Sequence, residues 1–348
     1  MKWDEAMSKL VKLSGLVADE KLEKTGLFGV LHFFKDGYVY GSNGFFEFEL
    51  YYGGDFESVV PASKFSDIVK VLDQKVAYDV FVREGYFVIS SKDGEVKINT
   101  VQAGGSVNRI VSLVKSEMEV GKRVELNWKE EVLKVLKKVA KIASSGSSSV
   151  ENRVICFNKE GVFATDRVRI ACYFVPFLVG EEQVLLSVAG VEQLTKVIEE
   201  EQVVDVWVVD GKLYVKFDGE FYVGVLGYDM NYHELGSVLL GYRDRVERFL
   251  VDVVVTDEIS KVVKILDPSD VVYLVIEGGW LELRVSSLKG FEWKEKLQQV
   301  NVEGSYMVGV LARDLDGVID GVMELGLSDE VIYCKSVEGV EYVIATIS

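Results

Sequence analysis

The sequence has few of the residues on which disulfide-bonded and metal-binding proteins depend. Its 348 residues include three cysteines, two histidines and three prolines. Cys156, Cys172 and Cys334 each stand alone in strand-like segments, and no C-x-x-C pair occurs. A disulfide framework and a zinc site are therefore not expected. We predict buried, reduced thiols, no metal and no cofactor.

Motifs that carry catalytic chemistry are also missing. His32 and His233 lie in strand or turn patterns without a nearby cysteine or serine to activate. The phosphate-binding G-x-x-x-x-G-K-[ST], the nucleophile elbow G-x-S-x-G and the zinc motif H-E-x-x-H do not occur. Asp314 and Asp316 lack the remaining positions of a calcium loop and are typical of acids at a helix start. We predict that the protein is not an enzyme.

Long apolar runs are absent as well, since none reaches the roughly 18 residues that a membrane helix needs. The first twenty residues carry acids within an apolar pattern, which predicts an amphipathic helix rather than a secretory signal. These features predict a cytoplasmic protein. The net charge of −17 normally argues against nucleic-acid binding. Whether the protein can bind nucleic acid therefore depends on where its lysines lie rather than on its net charge.

What the sequence does have is an internal repeat. Residues 61–101, 187–226 and 309–347 lie about 125 residues apart, and each begins with apolar residues at helical spacing before alternating as strands. The apolar helical positions are Phe65, Ile68, Val69 and Leu72, then Val191, Leu194 and Ile198, then Leu315, Val318, Ile319 and Val322.

The other half of each unit repeats too. Helical patterns at about 4–18, 128–143 and 255–266 each precede strands joined by turn pairs such as Asp36-Gly37. Each unit is therefore helix–strands–helix–strands. The sequence predicts an α+β protein of three tandem domains with this order, at residues 1–118, 119–240 and 241–348.

Lysines recur on the predicted helices. In "WKEEVLKVLKKVAKIASS" they fall at i, i+3, i+4 and i+7, which is one face of like charge that slightly opposes helix stability. Any single helix could simply have a solvated lysine face, but five of the six predicted helices carry lysine. This recurrence favours a basic helical side that faces a polyanion. The lysines are Lys9, Lys12, Lys64, Lys70, Lys134, Lys137, Lys138, Lys141, Lys196, Lys261 and Lys264.

Four motifs, in order along the chain, resemble the bacterial sliding clamp, the β subunit of DNA polymerase III. "VPASKFSDIVKVL" (60–72) resembles the second helix of that family's first domain, and "ATDRVRIA" (164–171) resembles its A-T-D-x-x-R-L-A signature. "YDMNYHEL" (228–235) resembles the junction of the second and third domains, and "EYVIATIS" (341–348) resembles the terminal strand and tail.

The resemblance implies three tandem sliding-clamp domains that form half of a six-domain ring. Such a homodimer is a DNA polymerase processivity factor, which encircles duplex DNA without sequence specificity at the replication fork. It also implies that the helix lysines above, with Lys24 of the loop "DEKLEKT", face DNA, as does the loop at 144–149. Family dimer contacts match Val96, Ile98, Ile265 and Leu266.

The resemblance further implies a cleft between the second and third domains. There the family binds short peptides of the replicative polymerase, the clamp loader and repair proteins. The matching residues are Thr165, Val168, Arg169, Ile170, Leu235, Val343, Ala345 and Ile347. Val168 stands where the family often has histidine, and Ala345 and Thr346 replace a usual methionine and proline, so a different peptide preference is expected.

Three alternatives stay open at the level of sequence. Asp166 and Arg169 suit a turn-stabilising ion pair that does not touch a partner. Ile170 suits plain core packing. The whole chain suits a clamp-like acidic interaction scaffold or a DNA-mimic protein that does not encircle DNA. A trimeric ring of two-domain chains is disfavoured because the sequence has three repeats.

Overall fold

The computed structural model describes residues 5–72, 76–104, 107, 109–112, 130–144, 150–175, 183–209, 211–228, 232, 234–287, 289–290 and 292–347. They fall into two compact units. One lies within Met1–Glu125 and Ala189–Tyr228, and the other within Leu126–Val188 and Asp229–Ser348. The predicted domain limit at 118 and His233 lie outside the described residues, as does most of the loop at 144–149.

Seven α-helices are formed by the described residues. They are α1 (Glu5–Val17), α2 (Ala62–Val71), α3 (Glu130–Ser144), α4 (Val188–Ile198), α5 (Leu235–Arg243), α6 (Val253–Ile265) and α7 (Ala312–Leu315), with 3-10 turns at Glu23–Thr25 and Val150–Arg153. The predicted amphipathic patterns explain the longer ones, since α3 buries Val135, Leu136 and Val139 completely or nearly so. The helices predicted at 4–18, 128–143 and 255–266 are confirmed within two residues.

Twenty-two strands are formed by the described residues, and all their pairings are antiparallel. The first eleven are β1 (Val30–Phe33), β2 (Tyr38–Ser42), β3 (Phe46–Tyr51), β4 (Ser58–Pro61), β5 (Asp79–Arg83), β6 (Tyr86–Ser91), β7 (Gly94–Asn99), β8 (Val154–Asn158), β9 (Gly161–Thr165), β10 (Arg169–Tyr173) and β11 (Val184–Ser187). The others are β12 (Val203–Val209), β13 (Lys212–Phe217), β14 (Phe221–Val225), β15 (Glu247–Leu250), β16 (Val271–Glu277), β17 (Trp280–Ser286), β18 (Glu292–Gln299), β19 (Tyr306–Leu311), β20 (Val322–Leu327), β21 (Val331–Ser336) and β22 (Glu341–Ala345).

The first unit contains a seven-stranded sheet in the order β12-β13-β14-β3-β2-β1-β4 and a three-stranded sheet in the order β5-β6-β7. Strand β14 pairs with β3, with Val223 opposite Phe48. Three strands from the second repeat therefore extend a four-stranded group from the first repeat. The domain limits at 118 and 240 stay predictions.

The second unit contains an eight-stranded sheet in the order β11-β8-β9-β10-β22-β21-β20-β15 and a four-stranded sheet in the order β18-β17-β16-β19. Here β22 pairs with β10, with Val343 opposite Ile170. This junction repeats the β14–β3 junction, because in both a third strand of one repeat pairs with the last strand of another. The internal repeat is thus visible in the strand order.

The sixth predicted helix is wrong in length. The helix α7 ends at Leu315, because Asp316 is extended and Gly317 takes a positive φ of 73°. A second left-handed glycine, Gly321, precedes Val322, which begins β20 rather than ending a helix. The predicted apolar positions are nevertheless all buried: Leu315, Val318, Ile319 and Val322. Their spacing reflects core packing of a turn instead of a helix.

Cys156, Cys172 and Cys334 are free and buried, as predicted. Burial raises the pKa of the Cys156 thiol to about 11 and those of the other two as well, so all three are protonated at neutral pH. Within the described residues, no cluster of three His, Cys, Asp or Glu side chains could hold a metal ion. None of the described helices has the length and apolar character to span a membrane.

Candidate peptide-binding site and basic helix faces

Five of the eight predicted cleft residues lie on one face of the eight-stranded sheet. Ile170 on β10 is opposite Thr165 on β9 and opposite Val343 on β22, so these three side chains form one row across the strands. The next row contains Val168 and Ala345, because the backbone N–H of Ala345 donates to the carbonyl of Val168 at 2.9 Å. The pairing of β10 with β22 therefore brings together residues about 175 positions apart in the sequence.

Helix α5 packs on the same face of the sheet, over the neighbouring row that contains Phe163 and Glu341. Its Gly236 lies against Phe163, where an added Cβ would come within 3.0 Å of the aromatic ring. At its other end, Arg243 Nη1 lies 3.4 Å from Glu341 Oε2 on β22. Leu235, the first residue of α5, is 6% exposed and closes the row at the helix start. The sequence did not predict α5, and it forms one wall of the candidate site.

Between α5 and Ile347 lies an apolar strip that is partly open to solvent. The strip consists of Val168, Ile170, Val343 and Ile347. Val168 is 39% exposed and Ile347 is 44% exposed, whereas Val343 is buried and Ile170 is half-buried. Ile347 is held in place because its N–H donates to the Gly309 carbonyl at 2.8 Å. Exposed apolar side chains at a fixed spacing on a rigid sheet suit the apolar side chains of a short peptide.

Arg169 points to the opposite side of the sheet and is 3% exposed. Its Nε and Nη2 donate to Asp166 Oδ2 at 2.9 and 2.8 Å, which confirms the ion-pair interpretation of this pair. Its Nη1 also donates to two carbonyls of α7, at 3.2 Å from Arg313 O and 3.4 Å from Asp314 O. Arg169 therefore holds the strip in place from beneath.

The polar atoms of the turn between β9 and β10 are largely satisfied within the turn. The Thr165 hydroxyl donates to the Arg169 carbonyl at 2.7 Å and accepts from the Arg167 N–H at 3.1 Å. Asp166 Oδ1 accepts from the N–H groups of Val168 and Arg169. Arg167 adopts a positive φ of 78°, which is rare for a non-glycine residue and is supported by these bonds.

Ten of the twelve predicted DNA-facing lysines are exposed: Lys12, Lys24, Lys64, Lys70, Lys134, Lys137, Lys141, Lys196, Lys261 and Lys264. Lys12 and the two half-buried lysines, Lys9 and Lys138, form ion pairs that the sequence did not predict. Lys9 Nζ lies 2.8 Å from Glu201 Oε2, Lys12 pairs with Glu200, and Lys138 Nζ lies 2.7 Å from Glu338 Oε2.

Glu338 illustrates the electrostatics of these pairs. Burial alone would raise the pKa of its carboxyl group, but the hydrogen bond and the charge of Lys138 outweigh burial and lower it. Glu338 is therefore ionised at neutral pH and neutralises one member of the α3 lysine face. The exposed Lys134 and the buried Val135 show that the predicted division of α3 into a basic and an apolar side is confirmed.

The predicted dimer residues lie in two different environments. Ile98 on the edge strand β7 is only 4% exposed, so its side chain packs within its own chain, and Val96 is half-buried. Ile265 at the end of α6 is 76% exposed, and its neighbour Leu266 is half-buried. Val71, at the end of α2, is 82% exposed and was not predicted. Two such exposed apolar helix ends suit an interface.

Solved structures with similar backbones include a DNA polymerase III subunit beta and a beta sliding clamp from bacteria. The DNA polymerase III subunit beta from Pseudomonas aeruginosa matches with a TM-score of 0.77 at 18% identity, covering 99% of this chain and 98% of that one. The beta sliding clamp from Caulobacter crescentus matches with a TM-score of 0.80 at 18% identity, covering 98% and 97% of the two chains. The chain has the sliding-clamp fold.

A third similar structure is the Helicobacter pylori beta clamp bound to a DNA ligase peptide, with a TM-score of 0.74 at 14% identity and coverage of 98% and 97%. Neither a protein-family model nor a curated protein matches the sequence. The sliding-clamp fold predicted from the motifs is confirmed over nearly the whole chain, and so is the α+β class.

Proposed function

We propose that the protein is a DNA polymerase processivity factor. In this proposal it is a homodimeric, non-enzymatic ring that encircles duplex DNA without sequence specificity in the cytoplasm, at the replication fork. The observation that carries the proposal is the sliding-clamp fold over 98–99% of the chain. Because a fold alone does not fix a function, the next three features are the sites that support it.

Ring closure is supported by the number and order of strands in three of the sheets. Within the chain, the last strand of the trio β12-β13-β14 pairs with the third strand of the group β1–β4, and this makes seven strands. In the three-stranded and four-stranded sheets, the strands at the corresponding positions are β7 and β18, and each is an outer strand with one edge unpaired among the described residues. Pairing β7 of one chain with β18 of a second chain would repeat the internal junction and remove both edges. Two such junctions close a two-chain ring.

The exposed helix ends fit the same assembly. Val71 lies at the end of α2 and Ile265 at the end of α6, on the repeats that own β7 and β18 respectively. In the first unit, the end of α4 corresponds to the end of α2, and the end of α1 corresponds to the end of α6. The residues equivalent to Val71 and Ile265 are there Val197, which is 6% exposed, and Val17, which is fully buried. A second chain would therefore cover Val71 and Ile265.

The exposed lysines support binding to DNA through phosphates. Lysine contacts to phosphate carry no sequence information, which suits a clamp that slides. The net charge of −17 disfavours DNA on surfaces without lysine clusters. The apolar strip between α5 and Ile347 then serves as the tether for a polymerase, a clamp loader and other partners. The ligase peptide on the Helicobacter pylori clamp supports a peptide as the kind of ligand.

The test is charge reversal at exposed helix lysines in a primer-extension assay with the cognate polymerase and loader. Lys134→Glu, Lys196→Glu, Lys261→Glu and Lys264→Glu together should shorten products to those of the polymerase alone. The matched control reverses three lysines in strand turns, Lys35→Glu, Lys92→Glu and Lys159→Glu, and should keep long products. Long products from the helix variant would refute DNA encirclement through these faces.

One observation favours the acidic-scaffold alternative. Lys9, Lys12 and Lys138 are neutralised by glutamates of the same chain, which reduces the charge available to DNA. The two functions differ in how the protein is held on DNA, because only a closed ring is linked to the DNA topologically. A ring loaded on nicked circular DNA stays bound in high salt and leaves when the DNA is linearised, whereas a scaffold shows no such difference. Retention that does not depend on DNA topology would select the alternative.

A further inference from the structure

The junction between β3 and β14 in the first unit is built like the junction that carries the candidate peptide strip. In both, the carbonyl of the residue before the third strand accepts a hydrogen bond from the N–H of the residue opposite it, at the end of the last strand. Leu226 N donates to Phe45 O at 2.9 Å, and Ala345 N donates to Val168 O at 2.9 Å. This places Phe45 at the position of Val168 and Leu226 at the position of Ala345.

The next row of the junction differs in chemistry. Glu47 stands opposite Gly224, where the strip has Ile170 opposite Val343. A Cβ at Gly224 would lie 2.8 Å from both Cγ and Oε1 of Glu47. The absence of a side chain at 224 therefore makes room for the carboxylate on this face. An apolar pair has been replaced by one acid.

A small cavity lies at this position, with a volume of about 150 Å³. Phe28, Phe45 and Leu226 form its apolar lining, and Glu47, Lys212 and Ser42 are the polar residues. Phe45 is 43% exposed, so the apolar wall is open to solvent. The volume suits one apolar side chain rather than a whole cofactor, because ligand pockets for small molecules measure roughly 300–1,000 Å³.

The carboxylate of Glu47 is only partly neutralised. Its Oε2 accepts from the Tyr40 hydroxyl at 2.8 Å, which fixes the group. Its Oε1 lies 3.8 Å from Lys212 Nζ, longer than a hydrogen bond. The Glu47 side chain is 17% exposed, so a cation entering beside the apolar wall meets a fixed, half-buried acid.

We propose that this cavity is a second docking site, which takes an apolar side chain of a linear peptide next to an arginine or lysine. The apolar side chain packs on Phe28, Phe45 and Leu226, and the cation pairs with Glu47 Oε1. The net charge of −17 favours encounter with a basic segment. The inference goes beyond DNA encirclement and uses the proposed peptide strip only as the repeat with which it is compared.

Two labelled hexapeptides test this inference on the full chain by fluorescence anisotropy. The first has a phenylalanine flanked by two arginines, and the second has glutamates in place of the arginines. The basic peptide should bind more tightly. Phe45→Asp should weaken its binding by about tenfold, since aromatic anchors dominate such contacts. Glu47→Gln should weaken it by about fivefold and leave the acidic peptide unchanged.

Two control variants locate the binding. Val204→Asp changes an apolar residue of the same unit that is 48% exposed and outside the cavity, and it should bind like the natural chain. Ile170→Asp alters the strip of the second unit and should leave the basic peptide bound. Circular dichroism checks that each variant is folded.

Four results would overturn the inference. The first is no binding of the basic peptide at millimolar concentration, and the second is equal affinity in Phe45→Asp and the natural chain. The third is loss of binding in Ile170→Asp alone, which would assign the peptide to the strip. A change in sedimentation of Phe45→Asp would also overturn it, because the surface would then join two copies of the chain. Failure of the proposed function is separate, since it appears as short primer-extension products with peptide binding intact.

Discussion

Replacing Arg169 by methionine removes the buried charge that holds the turn before β10 to helix α7. The ion pair with Asp166 has side chains only 4% and 5% exposed, so its loss leaves the carboxylate buried without its opposite charge. Breaking such a pair costs about 3–5 kcal/mol of unfolding free energy. The bonds to the carbonyls of Arg313 and Asp314 are long and therefore weak. Their loss should not raise the cost in unfolding free energy above this range.

The matched control is Arg248→Met in the same unit. Arg248 Nη1 lies 2.9 Å from Glu324 Oε1, nearly the distance of the Arg169 pair, but Arg248 is 44% exposed. Solvent screens an exposed pair, so its loss should cost under about 1 kcal/mol. The comparison therefore varies burial at a nearly constant N–O distance.

Urea unfolding and hydrogen–deuterium exchange measure the two effects. Arg169→Met should lower the unfolding midpoint of the second unit and speed exchange in residues 312–319, whereas Arg248→Met should change neither by much. Equal midpoints for the two variants would refute the reasoning, as would fast exchange spread evenly over the unit. Asp166→Asn keeps an acceptor for the turn N–H groups and should fall between the two.

Two further predictions concern assembly and pH. Ile265→Asp should convert the proposed dimer to a monomer in light scattering, because it places a charge at an exposed apolar helix end. Val337→Asp, also at an exposed residue, should stay dimeric, and an unchanged mass for Ile265→Asp would contradict the proposed β7–β18 ring. Burial lowers the pKa of His32 to about 4, below about 6.5 in an unfolded chain, so the unfolded state binds more protons between these values. Stability should therefore fall as pH drops through this window, by up to about 1.4 kcal/mol per pH unit, and His32→Leu should remove that part of the slope in thermal unfolding. Parallel slopes for the variant and the natural chain would contradict the assignment.

Most predictions that depended on local periodicity were confirmed, and the sixth helix is the exception. The stripe of Val135, Val139 and Ile142 is buried, because an amphipathic helix must place such a stripe against a core. The turn containing Asp166 and Arg169 was readable as an ion pair, because the two residues are three apart. Local spacing carries enough information for both.

Features that depend on distant residues were missed. Glu200 and Glu201 neutralise Lys12 and Lys9 from about 190 positions away, and no local pattern signals this. Helix α5 was missed because it contains two glycines, Gly236 and Gly241, which are poor helix formers. The reason for glycine at position 236 is its contact with Phe163, which lies far away in the sequence and leaves little room for a side chain.

The unpaired edge of β7 has a consequence for biosynthesis. Strand β7 ends at Asn99 and β18 begins at Glu292, so about 190 residues must be synthesised before a strand that fits this edge exists in the same chain. An open edge invites pairing with any nearby nascent strand. Exposed Glu95 and Lys97 alternate along β7, and charges on an edge discourage such aggregation. Neutralising both should therefore lower the soluble yield on expression before it changes the proposed ring.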